Sequence, residues 1–549
     1  MKGHLKEKTD LTRRSLLKKA AASGVAAALF PLVTKGNISG MLSPRLRSSE
    51  LDEVSVTALG KGLRSEKYTS ASLTESYLKR ISEIDKKGPA VNTIIELNPE
   101  ALEIARQLDL EMKSKGPRGP MHGIPVVIKD NIATADKMQT TAGSLALVGC
   151  KPIEDSFLVK QLRRAGVVIL GKTNLSEWAN MRSTHSTSGW SGRGGLTKNP
   201  YALDRNTSGS SSGSAAAAAA SLSAIAIGTE TDGSIVSPSS LNGIVGLKPT
   251  VGLVSRWGII PISHSQDTAG PMGRTVTDAA MLLGAMVGVD PRDKASRASA
   301  GRYFTDYTRF LDPFGLKGAR IGVVRGYFGF LPRVDKIIDE AIYAMKQNGA
   351  EIVDPGDFKT LGRWGDAETT VLEYELKADM KKYLDTLGPD SSMHTLADLI
   401  RFNDDHKEEE MPYFGQDLFL AAEEKGPLTD RKYLDARAKC IRLARREGID
   451  AVMTKHRLDA LVAPTDSPAW MTDLVLGDHS IGGSSSAAAV AGYPDITVPA
   501  GFAFGLPVGI SFFGRAWSEP TLIKLAYSFE HATKARRPPE FLPTVNLKE

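Results

Sequence analysis

Apolar residues recur along this chain with two periods, and the changes of period mark where helices give way to strands. Leu73, Tyr77, Ile81 and Ile84 stand three or four apart, the stripe of an amphipathic helix, and Ser72 with Glu75 makes the capping-box pattern that starts it. VNTIIEL at 91–97 reads as a strand. Pro99 then opens a second helix that Gly116 closes, since proline suits a first turn and glycine a C-cap. The short β-branched run 124–128 predicts a buried strand, 156–165 a helix and 167–170 another strand. Such alternation belongs to α/β folds.

The second half continues the pattern. A short helix is expected at 175–181, an irregular Gly/Ser-rich stretch at 185–205, a helix at 215–220 and a strand at 224–227. Segments 243–247 and 258–263 read as buried, and Thr275 caps a helix running to Val287. A strand–helix–strand unit follows at 319–324, 335–348 and 351–353. Region 360–457 is charged and mainly helical, with its longest helix expected at 429–447. The sheet resumes at 458–463 and again in AGYPDITVPAGF and GLPVGISFFG, before a last helix at 519–533. No fixed-period repeat is present.

The net charge of +6 over 549 residues suggests a basic protein until it is divided by position. Residues 1–50 hold ten Lys/Arg against three Asp/Glu, which leaves the rest of the chain at −1. A nucleic-acid footprint on the folded body therefore loses its support. The basic stretch around Arg13-Arg14, followed by an apolar run from Ala20 to Val33, resembles a twin-arginine export signal. Fourteen residues are too few to span a bilayer, so the expectation is a periplasmic or secreted bacterial protein whose leader touches the membrane transiently. The expected organisation is a leader and linker at 1–40 and one catalytic domain at 41–549.

Cys150 and Cys440 are the only cysteines, and the nine histidines show no tight ligand spacing. Neither a disulfide framework nor a zinc hydrolase fits. Gly166 to Thr173 spells the phosphate-loop pattern letter for letter, but its four large apolar residues ask for a buried strand rather than amides curled about an anion.

Candidate chemistry gathers in 206–237, NTSGSSSGSAAAAAASLSAIAIGTETDGSIVS. Two serine-bearing glycine turns flank a segment of small residues that lets backbones approach closely. Gly209 to Gly213 matches G-x-S-x-G, which would make Ser211 a triad nucleophile, yet no hydrophobic strand precedes it as that elbow requires. Lys129, entering from the end of a buried strand, is the other unusual group, since lysine is seldom buried without a partner.

Taken in order, GIPVVIKDNI, GSSSGSAAA and GTETDGSI resemble the amidase signature family. The resemblance implies a single large α/β/α domain with a mixed, twisted sheet, and a site in which Lys129 is the base, Ser210 a serine on a cis peptide, and Ser234 the acyl-forming nucleophile. It implies backbone donors for the oxyanion from Thr231, Asp232, Gly233 and Ser234, no metal or organic cofactor, and a small-molecule or peptide amide as substrate. Lys129 must then be neutral, which burial favours against a free lysine pKa of about 10.4. Asp130 would orient Lys129 or cap a turn, while Arg274 and Asp267 resemble family positions that could also brace the core. Ser208 and Ser212 stand at glycine positions of the first motif and Asp232 at one of the second. With LGKTNLSEWAN and SGWSGRGG, these departures look like the peptide amidase branch, which removes C-terminal amides. The alternatives are a general aliphatic or aryl amidase, an amidotransferase A-like subunit, and a non-catalytic binding protein on the same fold. Pocket walls are expected from 185–205 and 360–457.

Overall fold

Among the described residues, thirteen short, mostly β-branched or small-residue segments form the strands: β1 (Ile94–Leu97), β2 (Pro125–Lys129), β3 (Val168–Thr173), β4 (Trp190–Ser191), β5 (Gly195–Leu196), β6 (Ile225–Glu230), β7 (Val245–Lys248), β8 (Thr268–Gly273), β9 (Arg320–Val323), β10 (Glu351–Val353), β11 (Ala460–Pro464), β12 (Asp495–Ala503) and β13 (Leu506–Phe513). The computed structural model describes residues 49–356 and 358–547; the leader expected at 1–40 lies outside them. Among the described residues, β4 and β5 form a small hairpin and the other eleven strands one sheet, in the order β1-β3-β2-β6-β8-β7-β12-β13-β11-β9-β10. β2 runs parallel to both β3 and β6, and β9 parallel to β10 and β11, while the centre from β6 through β8, β7, β12 and β13 is antiparallel. The result is a single α/β domain with a mixed sheet.

The sheet buries both faces. Ala460, Val462 and Phe512 belong to the large core, and the alternating Leu461, Ala463 and Phe513 to a second one built with the helical region. Period-two side chains from one strand thus feed two cores.

Several expectations shift in detail. The first amphipathic helix begins at Ser70, not Ser72: Thr69 is the cap, accepting from the Ser72 amide while the Ser72 hydroxyl takes the Thr69 amide proton. β8 was not foreseen, because TAGPMG shows neither alternation nor bulk. Its small residues are needed between two strands: a Cβ on Gly270 would lie 2.0 Å from the Leu247 carbonyl oxygen. In 360–457 the longest helix is Gly365–Leu384, whose buried residues surround it too widely to leave a stripe. The helix expected at 429–447 is Arg431–Cys440, which passes into a wider-wound stretch broken at Gly448.

Candidate active site

Lys129 is where the sheet delivers its charge. Flanked by β3 and β6, the end of β2 is fully buried, and Lys129 Nζ lies 2.7 Å from Ser210 Oγ, 3.0 Å from Thr229 Oγ1 and 3.3 Å from the Thr229 carbonyl oxygen. Burial pulls the amine down to about pKa 7, against the opposing charges of Asp267 and Glu230. The uncharged amine is therefore populated at neutral pH.

Ser210 follows a cis Gly209–Ser210 peptide bond. A side chain at Gly209 could not fit, since its Cβ would lie 2.1 Å from Ser176 Oγ. The Ser210 carbonyl accepts from the Ser176 amide at 3.1 Å, and the next amide, Ser211 N–H, donates to the Ser234 carbonyl at 3.2 Å, which ties the two glycine turns together. A second tie joins Ser208 Oγ to Ser237 Oγ at 2.6 Å, and Ser212 Oγ donates to the Ser208 carbonyl at 2.7 Å. The two serines at glycine positions are thus used to brace the turn.

The second turn leaves β6 at Glu230. That buried carboxylate accepts the amides of Ile235 at 2.7 Å and Val236 at 3.0 Å, bridging the base of the loop 231–234. No hydrogen bond within the described residues occupies the amides of Thr231, Asp232, Gly233 or Ser234. Gly233 has φ +78°, a conformation glycine adopts without strain. Ser234 is 7% exposed, and its hydroxyl has no hydrogen-bond partner among the described residues. The structure brings Lys129 and Ser210 into contact and docks the Ser234 backbone on the same turn; it shows no hydrogen bond between the two serine hydroxyls.

Beside this cluster opens a cavity of about 840 Å³, reached by Ser210 and Thr231 and walled by Trp257, Ile260, Tyr383 and Leu428. Ser234, three residues past Thr231, is not among its lining residues. Tyr383 and Leu428 come from the helical region as expected, but the 185–205 stretch contributes nothing, and the 256–268 segment forms that wall instead. The 185–205 stretch is held away by its own partners: Thr187 Oγ1 donates to the Asp473 carbonyl and Ser188 Oγ to Asp478.

The family model for amidases matches residues 72–523. The chain belongs to the amidase signature family. It is 41% identical over 511 residues to an Arabidopsis thaliana protein described as a probable amidase, covering 91% of this chain and 94% of that one. The native peptide amidase of Stenotrophomonas maltophilia superposes with a TM-score of 0.85 at 50% identity, over 90% of this chain and 99% of that one. The glutamyl-tRNA(Gln) amidotransferase A-type subunit of Caldanaerobacter subterraneus is 34% identical over 512 residues, 89% of this chain and 99% of that one. The protein is an amide-hydrolysing enzyme.

In this amidase Ser211 cannot serve as a triad nucleophile: its hydroxyl donates to the Thr229 carbonyl at 3.0 Å and accepts the Thr229 amide at 3.2 Å, pinned to β6. Lys172 of the phosphate-loop pattern lies buried in β3, bound to the Ile132 carbonyl and Thr140 Oγ1. Asp130 caps a turn, accepting from Thr141 and Gly143, and among the described residues its side chain makes no hydrogen bond or ion pair with the Lys129 amine. Arg274 braces the core through the carbonyls of Val54, Ala218, Ser223 and Ala224. Asp267 does more than brace: it accepts Thr231 Oγ1 at 2.6 Å and lines the cavity, and burial lifts it to about pKa 6. Glu230 went unnoticed in the sequence although an acid at the end of an apolar run was the available signal. Among the described residues one group, His264, Glu375 and Asp379, could offer a cation three ligand atoms. Those atoms are already engaged, His264 with Asp379 at 2.6 Å and Glu375 with Ser265 and Tyr433, so the group fastens the cavity wall to helix Gly365–Leu384.

Proposed function

We propose that this amidase hydrolyses the C-terminal carboxamide of peptides through an acyl-Ser234 intermediate, with Ser210 and Lys129 as its proton relay. The single observation that carries the relay is the buried Lys129 amine 2.7 Å from Ser210 Oγ, with its pKa drawn down to about 7. The neutral amine takes the Ser210 proton as Ser210 Oγ takes that of Ser234, and Ser234 Oγ bonds to the carboxamide carbon. The unoccupied amides of Thr231 to Ser234 receive the oxyanion, each preorganised donor being worth about 3 kcal/mol. Collapse breaks the C–N bond, the relay returns a proton to the departing ammonia, and water then cleaves the ester by the same route. Substrate binding closes the last link, from Ser234 to Ser210, as catalytic hydrogen bonds commonly tighten only in the complex.

The peptide reading draws support from a cavity of about 840 Å³, far larger than a simple aliphatic amide needs, and from the likeness to a peptide amidase. Ammonia release is to be measured from peptide amides, free amino-acid amides and aryl amides. A kcat/KM for peptide amides at least tenfold above the others supports the reading; a preference for aryl or aliphatic amides replaces it with a general amidase. A fluorophosphonate probe is expected to label Ser234, and label surviving in Ser234→Ala but lost in Ser211→Ala would overturn the assignment.

A further inference from the structure

Asp232 stands where the family motif has glycine, and its side chain is not idle. Its carboxylate accepts Ser485 Oγ–H at 2.5 Å and faces the carboxyl group of Glu368, on helix Gly365–Leu384. Glu368 Oε1 accepts in turn from Gln266 Nε2 at 2.9 Å, and the same nitrogen donates to the Thr231 carbonyl at 3.3 Å. A ring of contacts thus leaves the turn at residue 232, crosses to the helical region, and re-enters the turn at residue 231.

Two carboxyl groups can hold such a contact only by sharing a proton, because like charges in contact repel. Burial and the facing Asp232 both raise the Glu368 pKa. Among the described residues no cation faces Glu368, so the proton rests on it. Tyr327 and Cys440, the other titratable groups near Glu368, are pushed up by burial and stay neutral.

We propose that Glu368 is a positioning residue of the reaction: through Asp232 and Gln266 it clamps the 231–234 turn and sets the direction of the amides that receive the oxyanion. The inference rests on Ser234 as nucleophile. Without the clamp, Asp232 and Gln266 lose their shared partner, and the turn is left with its ties to Asp267, Ser485 and Ser211. Misplacing preorganised donors by about 1 Å costs on the order of a hundredfold in rate.

The test is a double-mutant cycle on the full-length enzyme, with kcat, KM and the rate of fluorophosphonate labelling as readouts. Glu368→Ala is expected to lower kcat and labelling tenfold to a hundredfold with little change in KM, while Glu368→Gln, which keeps one donor and one acceptor, holds kcat within about threefold. In an Asp232→Gly background the penalty of Glu368→Ala is expected to shrink at least about threefold, since the Asp232 arm of the clamp is already gone and only the Gln266 arm is left to lose. Additive penalties, or full kcat in folded Glu368→Ala, would overturn the clamp. If Glu368→Ala does not fold, Glu368→Gln in the two backgrounds decides: equal failure of Gln and Ala also overturns it. Ser234→Ala is measured alongside, because turnover surviving there overturns the nucleophile reading itself, whereas its loss beside an unaffected Glu368→Ala overturns the clamp alone.

Discussion

Lys129→Met is expected to abolish turnover and yet raise stability. Methionine keeps the length of the stem and removes the amine, so the perturbation is confined to the charge and its hydrogen bonds. In the fold the amine titrates near 7 instead of 10.5, and below pH 7 the native state bears the whole of that difference, about 5 kcal/mol, as the cost of burying an ammonium or stripping its proton. The group is fully buried, so solvent screening gives no discount. The sign follows from proton counts. Between about pH 7 and 10.5 the unfolded chain binds more protons at this lysine than the native one, so wild-type stability rises with pH across that window. At pH 7 the substitution relieves about 4 kcal/mol, offset by about 2 to 3 kcal/mol for the hydrogen bonds removed at Ser210 and Thr229. A net gain of about 1 to 2 kcal/mol is therefore expected at pH 7, turning into a loss between about pH 8 and 9. Urea unfolding of both proteins at pH 7 and pH 9.5 measures it, with ammonia release as the activity control. A variant less stable than wild type at both pH values, or a difference that does not move with pH, would refute the argument that burial depresses this amine.

Other outcomes follow from the same geometry. Wild-type kcat/KM is expected to fall about tenfold per unit below pH 7 as Lys129 takes up a proton, and a flat profile down to pH 5 would remove lysine as the base. Glu230→Ala, which frees the Ile235 and Val236 amides and strips buried Lys248 of the carboxylate that acts on it most, is expected to cost about 3 kcal/mol or more in urea unfolding. Gly213→Ala places a Cβ 2.3 Å from the Thr93 carbonyl and is expected to lower the yield of folded enzyme and its Tm by several degrees. Replacing Arg13 and Arg14 by lysine is expected to hold activity in the cytoplasmic fraction, if the leader is read as a twin-arginine signal.

Much of the architecture was legible because it is written in local pattern. The helix Glu519–Thr533 and the strand–helix–strand unit around Pro332–Gln347 carry plain periodicity and end signals, and the short β-branched run before Lys129 reads as the buried strand it forms. The ordered motifs around Lys129, Ser210 and Ser234 likewise singled out candidate groups through their resemblance to the family, and the fold brings two of these, Lys129 and Ser210, into contact. What the order of residues could not say is which distant segments meet. β8 hides between β6 and β7 behind a sequence of small residues whose only virtue is that neighbouring backbones leave no room for more. The cavity wall at 256–268, the grip of Glu230 on the amides beyond the turn, and the reach of Glu368 to Asp232 join residues far apart in the chain, or roles that hydropathy does not encode. Side-chain identity fixes what a group can do, but its pKa and its partners depend on how much water and which charges the finished fold leaves beside it, and only the packed sheet sets those for Lys129.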